Sequence, residues 1–135
     1  MNPQKVFIPG PLPGFNEMEA ARGRGGRFGH KRENDYNVMK AEWMMVVKAR
    51  CTKASIKPMA HAWVHFLWLE RDRRRDKDNI AAGKKFVLDG IVKAGILPGD
   101  GWKNVVGFKD DFDVLKTRPG CMVTLYDRDP ERGKS

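Results

Sequence analysis

Hydrophobic and polar positions divide the chain into alternating strand-like and helix-like stretches. The apolar run Lys5 to Ile8 is closed by Pro9, Gly10, Pro11, Pro13 and Gly14. Proline cannot donate to a central ladder, so an edge strand and a turn-rich loop are predicted. Asn16 then introduces a short helical turn over Glu17 to Ala21. From Val38 to Arg50, with Asn37 as its cap, Met39, Trp43, Val46 and Val47 recur at helical spacing, which predicts a helix whose Met/Trp stripe faces the core. Ala60 to Glu70 alternates instead. Ala62, Val64, Phe66 and Trp68 share one face, and Trp63, His65, Leu67 and Leu69 the other. Both faces are apolar, so this reads as a central strand with something packed on each side. His65 reads as a packed or hydrogen-bonded histidine within it.

The second half continues the alternation. Ile80, Val87, Leu88, Ile91 and Ala94 form one helical stripe, and Gly95 is the residue expected just past that helix. Ile96 to Trp102 is a tight turn. Asn104 to Phe108 and Cys121 to Tyr126 are candidate strands, joined by Lys109 to Gly120, in which Asp110, Asp111 and Asp113 read as a solvated loop. The order is β, loop, α, β, α, β, β. It predicts a single α/β (α+β) domain over residues 1–135, with a mixed sheet of about four strands and flanking helices. The tail 127–135 is polar and expected to be flexible.

Composition narrows the chemistry. Lys and Arg number 26 against 17 Asp and Glu in 135 residues, a net charge of +9. Such an excess points to a polyanionic partner, most often nucleic acid. No apolar run approaches a membrane span, and the Pro- and Gly-broken N-terminus reads as no signal peptide. Cys51 and Cys121 lie far apart with no CxxC, which excludes a zinc ribbon and argues for a cytoplasmic, reducing location.

The positive charge is clustered. Arg22, Arg24, Arg27, Lys31 and Arg32 lie in a glycine-rich stretch, 22–32, that reads as a mobile basic loop. Arg71, Arg73, Arg74 and Arg75 form a second cluster that runs directly into Asp76-Lys77-Asp78-Asn79. Residues two apart in extended chain point the same way, roughly 7 Å apart at Cα, so Asp76 and Asp78 are able to converge on one hard cation. Mg²⁺ is commonly held by one or two carboxylates and takes its other ligands from water or phosphate. The same residues also suit capping of the following helix. Asp100, in Pro98-Gly99-Asp100-Gly101, reads equally as a turn residue or a third acid. Lys84 falls within the apolar stripe of its helix, whereas Lys85 lies at the border and is placed to pair with Asp89.

The stretch Arg75 to Asp100, RDKDNIAAGKKFVLDGIVKAGILPGD, resembles the signature of the RusA-type Holliday junction resolvases, small endodeoxyribonucleases of phages and prophages. Asp76, Asp78 and Asn79 match the opening of the family pattern. Lys85, Asp89, Gly95 and Asp100 keep its spacing counted back from the turn, and the N-terminal IPGPLPG is similar to its first strand and turn. The resemblance implies that Asp76, Asp78 and Asp100 bind Mg²⁺, with Mn²⁺ as a substitute, and that Lys85 assists at the scissile phosphate. It further implies a homodimer that resolves four-way DNA junctions in recombination and repair, in a bacterial or phage-infected cell. The two basic clusters then hold the DNA backbone. Two departures stand out. The gap from Asn79 to Lys85 is longer than in the family pattern, so Lys84 rivals Lys85. Glycines also flank Asp100, where the family often has paired acids. The alternative from the residues alone is a non-catalytic basic nucleic-acid-binding protein.

Overall fold

The computed structural model describes residues 2–23 and 29–132. Its elements are β1 (Gln4–Pro9), α1 (Phe15–Arg22), α2 (Gly29–Lys53), β2 (Ala62–Glu70), α3 (Lys77–Ala81), α4 (Lys84–Lys93), β3 (Val105–Val114) and β4 (Gly120–Tyr126). The four strands form one mixed sheet in the order β1-β4-β2-β3. β1 and β4 are antiparallel, as are β4 and β2, while β2 and β3 run parallel. The α+β architecture and the edge position of β1 are as the sequence predicts.

Alternation decides which side of the sheet carries the core. Ala62, Val64, Phe66 and Trp68 of β2, Cys121, Val123 and Leu125 of β4, and Val6 and Ile8 of β1 are all buried on one face. Val47 and Cys51 from α2, Ile80 from α3, and Val87 and Ile91 from α4 close over them. Both cysteines are free thiols inside this core. The opposite face has no helical cover among the described residues. There Trp63, His65, Leu67 and Leu69 are half-buried, sheltered by neighbours such as Tyr126, whose ring meets that of Trp63 edge-on at 5.8 Å. The expectation of packing on both sides of β2 therefore holds for one face.

Several boundaries differ from the sequence reading. α2 spans 25 residues, so Gly29 to Arg32 belong to a helix rather than a loop, and Asn37 lies inside it rather than capping it. Arg24 and Arg27 lie outside the described residues, as do the side chains of Lys31 and Arg32. The predicted helix over 80–94 is two helices, parted at Ala82 and Gly83. Gly95 adopts φ +78°, with its N–H on the Val92 carbonyl and the Ile96 N–H on the Ile91 carbonyl. That paired closure is the Schellman stop expected of a glycine there. The largest correction concerns Lys109 to Val114, which continue β3 instead of forming a loop. Cross-strand pairing with β2 overrides the low strand propensity of three aspartates. Of the tail, 127–132 form a turn-rich end and 133–135 lie outside the described residues.

Candidate functional site

Two motif residues at the end of β2 serve the framework. Glu70, the last residue of that strand, is buried and carries a charge. Arg75 neutralises it with a bidentate pair, Nε to Oε1 at 2.9 Å and Nη2 to Oε2 at 2.8 Å. The same guanidinium donates to Glu17 of α1 at 2.8 Å and to the Leu12 carbonyl at 3.0 Å. These carboxylates hold its pKa above the usual arginine range, with the Glu70 hydrogen bonds the largest cause. Arg75 is thus a clamp joining β2, α1 and the proline-rich loop. Its side chain is only 21% exposed, and its Nε, Nη1 and Nη2 all donate within the protein. Asn79 is likewise structural: it is buried, and its Oδ1 accepts the Asn16 N–H of α1 at 2.8 Å.

The remaining acids are differently placed. Asp76 occupies the N-cap position of α3, yet its side chain makes no capping hydrogen bond. Asp78 Oδ1 accepts its neighbour's N–H, that of Asn79, at 3.0 Å. Both are exposed, and both line a cavity of about 630 Å³ together with Asp72, Asp113, Arg73, Lys77 and Phe112. They also line a second depression of about 290 Å³, with Phe15, Asn16 and Asn79. Asp76 and Asp78 therefore border both hollows, close in sequence to the exposed Arg71, Arg73 and Arg74.

Asp113 is an acid that the sequence reading left in a solvated loop. The parallel pairing of β3 with β2 sets it opposite Leu69, at the same end of the sheet as Asp76. Alternation of Phe108, Asp110 and Phe112 with Lys109, Asp111 and Asp113 was the signal for that strand. Lys77 was passed over; its Nζ stands 5.8 Å from the centre of the Phe112 ring, in the wall of the same cavity.

Asp100 goes elsewhere. It precedes β3, and β3 starts where β2 starts: the Ala62 N–H meets the Asn104 carbonyl at 2.8 Å, and the Met59 N–H meets that of Ile96 at 2.7 Å. Asp76 follows the other end of β2, a strand whose nine residues span roughly 26 Å. Asp100 instead lines a hollow with Lys40, Asp89 and Lys93. The trio Asp76, Asp78 and Asp100 is therefore not gathered within one chain.

The lysines separate cleanly. Lys84 turns into the sheet, where its Nζ meets Asp110 Oδ2 at 2.6 Å and lies 3.8 Å from the centre of the Phe108 ring. The other oxygen of Asp110 accepts the Trp68 Nε1–H at 2.9 Å. Lys85 points outward, 3.9 Å from Asp89. Neither lines the Asp76–Asp78 cavity. Arg22, in the last turn of α1, lies over the Tyr36 ring at 4.0 Å and keeps an exposed guanidinium. His65 is hydrogen-bonded, its Nε2 2.7 Å from Asp111 Oδ2, and this contact is the main cause holding the Asp111 carboxyl below its ordinary value.

Carboxylate oxygens are the donors Mg²⁺ prefers. Asp76 and Asp78, both exposed and the first of them making no capping bond, suit the ordinary ligation by one or two carboxylates with water and phosphate completing the shell. Among the described residues no three acidic, histidine or cysteine side chains converge closely enough to hold an ion by themselves. Among the described residues, too, no helix is long and apolar enough to cross a membrane.

No protein-family model matches this chain, and no curated protein matches it.

Proposed function

We propose that the chain is a RusA-like endodeoxyribonuclease that cuts branched DNA, four-way junctions foremost, as a homodimer in the cytoplasm of a bacterial or phage-infected cell. The observation that carries this reading is the placement of Asp76 and Asp78. Two exposed carboxylates, one at the N-cap position of α3 and one in its first turn, share a cavity with Arg73 and Lys77. Mg²⁺ bound there would supply Lewis-acid activation of water and neutralise charge on the phosphodiester. Arg71, Arg73 and Arg74 hold the DNA backbone, and such contacts weaken steeply with salt. Lys77 is better placed than Lys85 to neutralise a phosphate in this cavity, and Asp113 than Asp100 to supply a further carboxylate.

The test is cleavage and binding of a synthetic four-way junction with Mg²⁺ or Mn²⁺. Asp76→Asn and Asp78→Asn are expected to abolish cleavage and retain binding, Asp113→Asn to impair cleavage, and Asp100→Asn and Lys85→Met to cut normally. Undiminished cleavage by Asp76→Asn overturns the assignment. A second reading, a non-catalytic nucleic-acid-binding protein, draws on the lack of a three-ligand cluster among the described residues. It prevails if the wild-type chain binds DNA but cuts none with either metal.

A further inference from the structure

Trp102 is 99% exposed, although tryptophan is among the residues that fold inward most completely on average. It is presented by an anchored turn. The Gly101 carbonyl accepts both the Asn104 and Val105 N–H groups, at 3.0 and 2.9 Å. The Asn104 side chain donates to the Ala60 carbonyl at 3.0 Å, which ties the turn to the start of β2. The platform is also slim. A Cβ placed on Gly101 would meet no atom within 4 Å beyond its chain neighbours, so the turn stands clear of the rest of the fold at that residue.

Its surroundings decide the kind of partner. The adjoining Asp100, Gly101 and Lys103 are exposed, and none carries an apolar side chain. A protein interface usually surrounds an anchoring tryptophan with further apolar surface. A fully accessible ring beside a lysine, on a chain of net charge +9, suits a flat π-system joined to a phosphate. Asp100 repels phosphate on one side of the ring, which leaves Lys103 as the backbone contact and the indole for the base. We infer that Trp102 is a stacking platform for an unpaired DNA base, with Lys103 on the adjoining phosphate. It sits at the opposite end of β2 from Asp76, so a strand engaged at both places crosses roughly 26 Å of sheet. This inference rests on the nucleic-acid-binding half of the reading above and not on cleavage.

The experiment titrates the full chain, without metal, with oligo-dT and with a four-way junction carrying a single-stranded arm. Affinity is read by anisotropy of labelled DNA, and stacking by tryptophan emission. Trp102→Ala is expected to weaken oligo-dT binding roughly 5- to 150-fold, the range for losing one stacked base. Trp102→Phe is expected to retain most of the affinity but lose most of the DNA-induced quenching, since the other three tryptophans are buried or half-buried. Both variants should melt at the wild-type temperature. Unchanged affinity for both DNAs in Trp102→Ala overturns the inference. So does a Trp102→Ala variant that loses self-association in sedimentation while each protomer binds DNA as before, which would assign the ring to a protein contact. A wild-type chain that cuts no DNA but shows the Trp102-dependent binding would sink the nuclease reading and leave this one standing.

Discussion

Asn79 Oδ1 accepts the backbone N–H of Asn16 at 2.8 Å, across 63 residues of chain. Helix α1 begins at a glycine, Gly14, which has no side chain to cap the first turn. Asn79 supplies that acceptor from α3, and Glu17 Oε1 accepts the Gly14 N–H at 2.7 Å. The approach is so close that a Cβ on Gly14 would stand 2.5 Å from the Asn79 carbonyl oxygen. The asparagine of the Asp-x-Asp-Asn motif is thus a cap for a distant helix. Asn79→Ala is expected to destabilise the fold by roughly 1–2 kcal/mol, from a lost cap on the first turn of α1. Urea unfolding checks this, and Asn79→Asp, which keeps the acceptor, should lose less.

Arg75 and Arg74 are adjacent in sequence, but Arg75 is drawn into the protein and Arg74 is exposed. Removing Arg75 leaves Glu70, whose side chain is only 10% exposed, as an uncompensated charge. Arg75→Ala is therefore expected to cost about 3 kcal/mol of stability, little changed by salt. Arg74 is exposed, and Arg74→Ala should alter stability by less than about 0.5 kcal/mol while lowering DNA affinity. Denaturation and DNA-binding titrations on both variants separate clamp from contact.

Lys84 and Asp110 form a pair whose side chains are 16% and 18% exposed. Lys84→Ala is expected to destabilise by roughly 2–3 kcal/mol, and the double variant Lys84→Met/Asp110→Asn by less than the sum of the single changes. Lys85→Ala, on the exposed face, should change stability by less than about 0.5 kcal/mol. A double-mutant cycle in urea measures the coupling. Equal effects of the two lysines would contradict the buried pairing.

Burial pushes the Cys51 thiol up to about 11 from an ordinary 9.0, and Cys121 moves in the same direction, chiefly by burial. In the unfolded chain a thiol ionises at the lower value. The stabilisation from keeping Cys51 neutral inside is complete below about pH 9 and is lost as pH climbs to about 11. Unfolding free energies from urea titrations should fall over that window by up to about 1.4 kcal/mol per pH unit for each buried thiol, and by less in Cys51→Ala. Iodoacetamide labelling at pH 8 should be slow in the native protein and fast in urea.

Periodicity made most of the fold legible. The alternating β2, the apolar stripes of α2 and α4 and the stop at Gly95 follow from side-chain spacing, which acts locally. Asp76 and Asp78 could be picked out as a pair of acids beside the arginines, but not for the extended geometry expected of them: Asp76 is the N-cap of α3 and Asp78 lies in its first turn. The rest was hidden for nonlocal reasons. Asn79 and Asp76 look like equal capping candidates, and only the packing of α1 against α3 makes one a cap and leaves the other open. Arg75 looks like its three neighbours until Glu70 and Glu17 are brought to it.

By itself the sequence determined a mixed α+β domain, the edge strand β1, the central β2, and a basic segment running into two acids. Only the tertiary structure decided which acids share a cavity. A strand, a crossover helix and a parallel strand return the chain to the end where it began. That geometry sends Asp100, just ahead of β3, away from Asp76, and carries Asp113, at the far end of β3, back beside it. Spacing along the chain fixes how many residues separate two acids. The direction of the strand between them fixes whether they meet.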